Sequence, residues 1–149
     1  MIKILFICHG NICRSPMAEY VLKDMVAKQG RAEDFLIASA ATSTEEIGNG
    51  VYPPARAELA RHGIRCGERR AVQLTREDYD RYDLLIGMDE ANIRNMRRIC
   101  GGDPQGKIRK LMDFTGRGGN VADPWYTDRF DVTFRDVSEG CAALLKMMQ

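Results

Sequence analysis

The sequence predicts one α/β domain, residues 1–149, in which a four-stranded parallel sheet carries helices on both faces. Short apolar runs alternate with amphipathic stretches, and each run is followed by a loop and then a helical pattern. A length of 149 residues with a hydrophobic fraction of 44% is enough for one sizeable core. No repeat, linker or low-complexity segment breaks the pattern.

The first strand is expected at residues 3–7, where the apolar run is too short to span a bilayer and ends in a Gly/Asn turn, so it reads as a buried strand rather than a leader. The following helix is bounded by Ser15 as its cap, Pro16 in its first turn and Gly30 at its end. Met17, Val21, Leu22, Met25 and Val26 form its apolar stripe. Further strands are expected at 35–40, 83–88 and 107–112, and further helices at 54–62, 76–81, 90–98 and 131–148. The last helix places Phe134, Val137, Cys141, Leu144 and Met148 on one face. Two long loops remain, 42–52 and 113–129, of the kind that compact domains usually keep for function.

Lysine and arginine total 22 against 21 acidic residues, so no overall field recruits nucleic acid or an anionic membrane, and neither is expected as a partner. Anion recognition must then be local. Five cysteines make an odd count without paired zinc-ligand spacing, which points to a reducing cytoplasm and to no metal or other cofactor.

The segment CHGNICRS, residues 8–15, lies between the first strand and its helix, at the sheet edge where open α/β domains bind ligands. Five residues between Cys8 and Arg14 can curl so that backbone amides point inward at a helix N-terminus, a nest for phosphate. Gly10 and Asn11 tolerate the positive φ of such a curl, and Arg14 offers two parallel donors to phosphate oxygens. Inward amides, a helix N-terminus and Arg14 together favour a thiolate at Cys8, a ready nucleophile. The amides of His9, Ile12 and Cys13 complete the cradle, with the His9 side chain turned to solvent. A buried cysteine or a glycine turn alone is commonplace. It is the strand, cysteine, short loop, arginine and helix together that point to chemistry.

Displacement at phosphorus also needs a proton for the departing oxygen, and Asp123 in ADPWY is the candidate. It lies after the fourth expected strand and so can reach the same edge, while Pro124 stiffens the segment. Trp125 and Tyr126 offer an aromatic wall for a phenyl ring.

CHGNICRSPMAE together with DPWY resembles the low-molecular-weight protein tyrosine phosphatase family. The similarity extends over nearly the whole chain, through SAATS at 39–43, HGI at 62–64, QLT at 73–75 and MDEAN at 88–92. The resemblance implies a cysteinyl-phosphate intermediate on Cys8, proton transfer by Asp123 in both steps, and no metal. It implies that Ser15 stabilises the Cys8 thiolate, that Asn11 holds the loop, and that Ser39 supports Asn11. It also implies a reversible disulfide between Cys8 and Cys13. The substrates it implies are phosphotyrosine-bearing proteins or small aryl phosphates, handled by a monomer or weak homodimer. Family members often carry an aromatic near Glu45 or Glu46, which this chain lacks, and many carry a histidine where Arg69 or a neighbour stands here.

Other titratable residues are expected to do less. His62 precedes Gly63 at a helix end and reads as structural, Asp89 and Asn92 read as helix-start residues in a segment that the resemblance places near the phosphate loop, with a supporting role open to them, and Cys66, Cys100 and Cys141 read as ordinary thiols. Arsenate reduction would need two further cysteines where GMDEANIRNMRRIC supplies only Cys100. A phosphoarginine phosphatase of the same family would carry threonine in place of Ile12. A module that binds phosphate without hydrolysing it would have no use for both Cys8 and Asp123.

Overall fold

Alternation along the central strand decides what must cover it. In the computed structural model, which describes residues 1–148, strand β1 (Ile2–Cys8) sends Ile4, Phe6 and Cys8 to one face and Leu5 and Ile7 to the other, all buried. Such a strand needs a layer on each side. On the first face Ile4 and Phe6 meet Met17, Val21 and Leu22 of α1 (Arg14–Lys28) and Val137, Cys141 and Leu144 of α6 (Phe130–Met147). Helix α2 (Pro53–Arg61) adds Ala55 and Leu59. On the second face Leu5 and Ile7 meet Tyr79 of α3 (Arg76–Arg81) and Met96 and Cys100 of α4 (Glu90–Cys100).

The sheet has the expected four parallel strands, in the order β2-β1-β3-β4, with β2 at Phe35–Ala41, β3 at Leu84–Gly87 and β4 at Ile108–Lys110. Cys8 lies opposite Ala41 and Ile7 opposite Gly87. The chain leaves β1 toward one edge and later crosses to the other, so a crevice opens beyond the carboxyl ends of β1 and β3. Cys8 stands at that crevice. Among the described residues no helix is long and apolar enough to cross a membrane.

Some boundaries differ from the sequence reading. The fourth strand is half the expected length, because Leu111 and Met112 leave the sheet in a 3-10 turn (Leu111–Phe114) and are buried there. An apolar run cannot distinguish those two destinations. The long loop after it contains a one-turn helix, α5 (Pro124–Thr127). Helix α1 starts at Arg14 with Cys13 at the cap position, so Ser15 lies inside the first turn, where its hydroxyl serves the thiol of Cys8 instead. Gly30 does end that helix, at a φ of 69°, with its amide on the Ala27 carbonyl.

Helix α6 presses on the 3-10 turn at Gly140. A Cβ there would lie 2.5 Å from Leu111 Cγ and 2.9 Å from its Cδ2. Gly140→Ala should lower stability by about 1–3 kcal/mol through overpacking, more than the roughly 0.5–1 kcal/mol that alanine adds within a helix. The urea midpoint should fall. A midpoint at or above wild type would show that α6 moves off Leu111 without cost.

Candidate active site

Between β1 and α1 the chain turns its carbonyls outward. Thr42 donates to the Cys8 carbonyl at 3.0 Å, the amide and hydroxyl of Ser43 to that of His9 at 3.0 and 2.9 Å, and the amide of Tyr52 to that of Ile12 at 2.9 Å. Arg69 Nη1 donates to the Asn11 carbonyl at 3.1 Å. With the oxygens held outside, the amides of the loop face its interior, and the Asn11 amide points at Cys8 Sγ from 3.3 Å. The positive φ that the curl needs falls on Asn11, at 59°, and not on Gly10. A Cβ at Gly10 would sit 3.3 Å from Cγ of the half-buried Glu46 side chain, which would have to shift by a few tenths of an ångström.

Three groups surround the sulfur. Besides the Asn11 amide, Sγ meets Ser15 Oγ at 3.0 Å and the Ser15 amide at 3.4 Å. The Asn11 side chain donates through Nδ2 to Ser15 Oγ at 2.7 Å, which leaves the serine hydrogen for the sulfur. Asn11 Oδ1 in turn accepts from Arg69 Nη2 and from the Val72 amide, so the amide orientation is determined by its partners. Asn11 and Ser15 are fully buried. Ser39, expected to support Asn11, makes no direct contact with it. Its hydroxyl donates to Glu19 Oε1 at 2.5 Å, and that oxygen lies 3.8 Å from Arg69 Nε, so Ser39 reaches Asn11 only through Glu19 and Arg69.

Arg14 is buried on the floor of the site between two carboxylates. Its Nη1 donates to Asp89 Oδ2 at 2.8 Å and to the Val121 carbonyl at 3.2 Å, and its Nη2 faces Asp123 Oδ2 at 3.4 Å. Burial opposes its charge, but the negative charges of Cys8, Asp123 and Asp89 outweigh that and raise its pKa. Asp89 also caps α4, accepting from the Asn92 amide at 2.8 Å while Asn92 Oδ1 reaches back to the Asp89 amide. Burial would favour the neutral acid at Asp89, yet the Asn92 amide and Arg14 hold its carboxyl below the usual range.

The cavity above this floor has a volume of about 440 Å³. The loop residues Cys8, His9, Gly10, Ile12 and Cys13 line one side, with Glu45 and Glu46 beside them. Asp123, Trp125 and Tyr126 line the other, and the two rings are 63% and 85% exposed, available to a ligand. Asp123 caps α5, its Oδ1 accepting from the Trp125 amide at 3.0 Å. His9 turns outward, as expected, and pairs with Glu45 at 2.7 Å. Cys13 is buried at the head of α1, and burial, reinforced by the charges of Cys8 and Asp123, pushes its thiol up to about 12.

The sequence profile of the low molecular weight phosphotyrosine protein phosphatase family matches residues 3–149. The chain belongs to that family. Among its phosphatase relatives, the low molecular weight protein-tyrosine-phosphatase YfkJ of Bacillus subtilis is 36% identical over 151 residues, covering 100% of this chain and 97% of the relative. The low molecular weight phosphotyrosine protein phosphatase of Pongo abelii is 44% identical over 152 residues, covering 96% and 93%. The crystal structure of the Bacillus subtilis phosphatase superposes with a TM-score of 0.95 over 100% of this chain and 95% of that one.

Outside the cavity, His62 stacks on Phe134 with ring centroids 3.8 Å apart and pairs with Glu58 at 2.9 Å. Sequence reasoning missed Glu19, a buried carboxylate within α1, and the contact of Asp89 with Arg14. No spacing signals the first, and the capping motif at Asp89 uses only one of its two oxygens. Arg69→Ala would leave the carbonyl of the fully buried Asn11 without its donor, leave Asn11 Oδ1 with the Val72 amide alone, and take the nearby guanidinium from Glu19. It should cost about 1–3 kcal/mol of stability in urea denaturation, because buried acceptors lose their partners. Turnover should fall with it. Unchanged values for both would remove Arg69 from the support of the loop.

Proposed function

We propose that this family member hydrolyses phosphotyrosine monoesters with Cys8 as nucleophile, Arg14 as phosphate clamp and Asp123 as general acid and base. The observation that carries the reading is that the Arg14 guanidinium, on the loop of Cys8, faces the carboxylate of Asp123 at 3.4 Å. A phosphoryl group seated over the loop would then have the nucleophile beneath it and a proton donor beside its leaving oxygen.

In the first step the Cys8 thiolate attacks phosphorus as the bond to the phenolic oxygen breaks, and Asp123 gives that oxygen its proton. The inward amides and Arg14 hold the three equatorial oxygens, where charge is spread in the transition state. Ser15, with its hydrogen directed to sulfur, stabilises the thiolate both before attack and as it departs. In the second step water gives a proton to the Asp123 carboxylate and attacks phosphorus, the sulfur–phosphorus bond breaks, and inorganic phosphate and the thiolate are restored. No metal or cofactor enters either step.

The exposed rings of Trp125 and Tyr126 at the mouth support an aromatic substrate, and Ile12 in the loop supports phosphotyrosine over phosphoarginine. Substrates are phosphotyrosine-bearing proteins or small aryl phosphates. A monomer or weak homodimer in a reducing cytoplasm is part of the proposal, and the odd count of five cysteines supports the latter. Cys13 is proposed as the partner of Cys8 under oxidation. Burial and, after it, the charge of Cys8 keep the Cys13 thiol protonated, and conversion of Cys8 to a neutral sulfenic acid by peroxide removes the second of these. Attack of the Cys13 sulfur on the sulfenic sulfur would then form the disulfide, the thiol proton leaving with the displaced hydroxide as water.

Two variants test the chemistry. Cys8→Ser should lose turnover yet still bind phosphate or vanadate by calorimetry, since the amides and Arg14 survive. Retained turnover in the purified variant would end the mechanism. Asp123→Ala should slow phenyl phosphate by about 10² to 10⁴ and an aryl phosphate with a strongly acidic leaving group far less. An equal loss across a graded aryl series would point to a binding or folding defect instead.

A further inference from the structure

One residue touches both halves of the proposed chemistry. The amide of Tyr52 donates to the Ile12 carbonyl at 2.9 Å, tying its backbone to the phosphate loop. Its ring meets Trp125 with centroids 5.7 Å apart and planes tilted by 56°, and Phe130 at 6.1 Å and 30°. These are attractive geometries for aromatic pairs. The Trp125 amide is the donor to Asp123 Oδ1. An unbroken series of contacts therefore runs from the loop through Tyr52 and Trp125 to the carboxylate.

The acid segment needs such a contact. On its incoming side Val121 and Ala122 are anchored, Val121 through its amide to the Met88 carbonyl, Ala122 through its amide to Asp136 and its carbonyl to Thr133. On its outgoing side Phe130 is buried. Between them Pro124 is buried, but residues 125–129 are exposed, and Asp128 turns the chain with a φ of 58°. Helix α5 has four residues, too few to hold its own shape in water. Its position must come from side chains packed against something else, and the aromatic neighbour of Trp125 is Tyr52.

Resting on the function proposed above, we infer that Tyr52 is a positioning residue for the general acid, holding Asp123 at the leaving oxygen through the ring of Trp125. The ring and not the hydroxyl makes the contact, so Phe should replace Tyr. A residue that merely starts α2 and fills space would, when replaced, slow all substrates alike.

The test uses full-length wild type, Tyr52→Ala, Tyr52→Leu and Tyr52→Phe. The readouts are kcat/KM for phenyl phosphate, kcat/KM for dinitrophenyl phosphate, and acrylamide quenching of tryptophan fluorescence. Trp125 is the one tryptophan in the sequence, so the emission reports on the acid segment alone. Tyr52→Ala should lose about tenfold on phenyl phosphate, as expected for a displaced catalytic group, but change little on dinitrophenyl phosphate, whose leaving group needs no proton. Quenching should rise. Tyr52→Phe should match wild type in all three. If the alanine variant does not fold, the leucine variant, which keeps apolar bulk without a ring, carries the same expectation. A replacement with wild-type leaving-group dependence and quenching, or an equal loss on both esters, overturns the role of Tyr52. If the wild type itself fails to hydrolyse phenyl phosphate, the proposed function falls and takes this inference with it.

Discussion

Everything at this site depends on holding a short stretch of backbone inside out. Peptide groups normally satisfy donors and acceptors together, but a loop that presents its amides to an anion must place its carbonyls elsewhere and keep them paired. Here four of those oxygens are taken by the chain at residues 42–43, 52 and 69. The surrounding structure follows from that need. The end of β2 leads into residues 42 and 43, the start of α2 places Tyr52, and the segment at 71–74 docks beside Ala41, bringing Arg69 to Asn11.

Arg69 shows how one requirement can be met by different chemistry. Its guanidinium serves the main-chain and side-chain oxygens of Asn11 at once and lies near the carboxylate of Glu19. A planar group with several donors suits that task, and a buried carboxylate suits a neighbour that is permanently charged. Glu19 does not rely on Arg69 alone, since Lys23 and Ser39 also donate to it. The loop is thus braced through a polar cluster on the sheet face that α1 covers.

The parts legible in the sequence were those whose meaning is local. The run into Cys8, the five residues to Arg14 and the helix after it specify strand, curl and helix within one short segment, and the parallel sheet follows from the alternation of apolar and amphipathic runs. Asp123 was legible because a proline and two aromatics beside an acid, in a loop at the right edge, suggest a purpose. Illegible were contacts made across the chain: Asp89 to Arg14, Glu19 to Ser39, Tyr52 to Trp125. At Gly10 and Ser15 the local signals gave only part of the surroundings. Conformational freedom suggested Gly10 where the positive φ falls on Asn11, and capping suggested Ser15, whose hydroxyl instead meets the sulfur as the resemblance implied.

The outward carbonyls have a consequence for how the molecule comes together. Their partners arrive from sequence positions as far along as 69, whereas β1, α1 and β2 can meet as soon as residues up to 41 are available. The pairing of β1, α1 and β2 does not require the cradle to be shaped, whereas the Asn11 carbonyl gains its partner only when the later segment docks. Long-range contacts of this kind are the slow ones to form, and regions held by loops are the first to open. Pairing of the first strands and shaping of the cradle are therefore separate events, and a strand and helix that have already met can still lack the pocket between them.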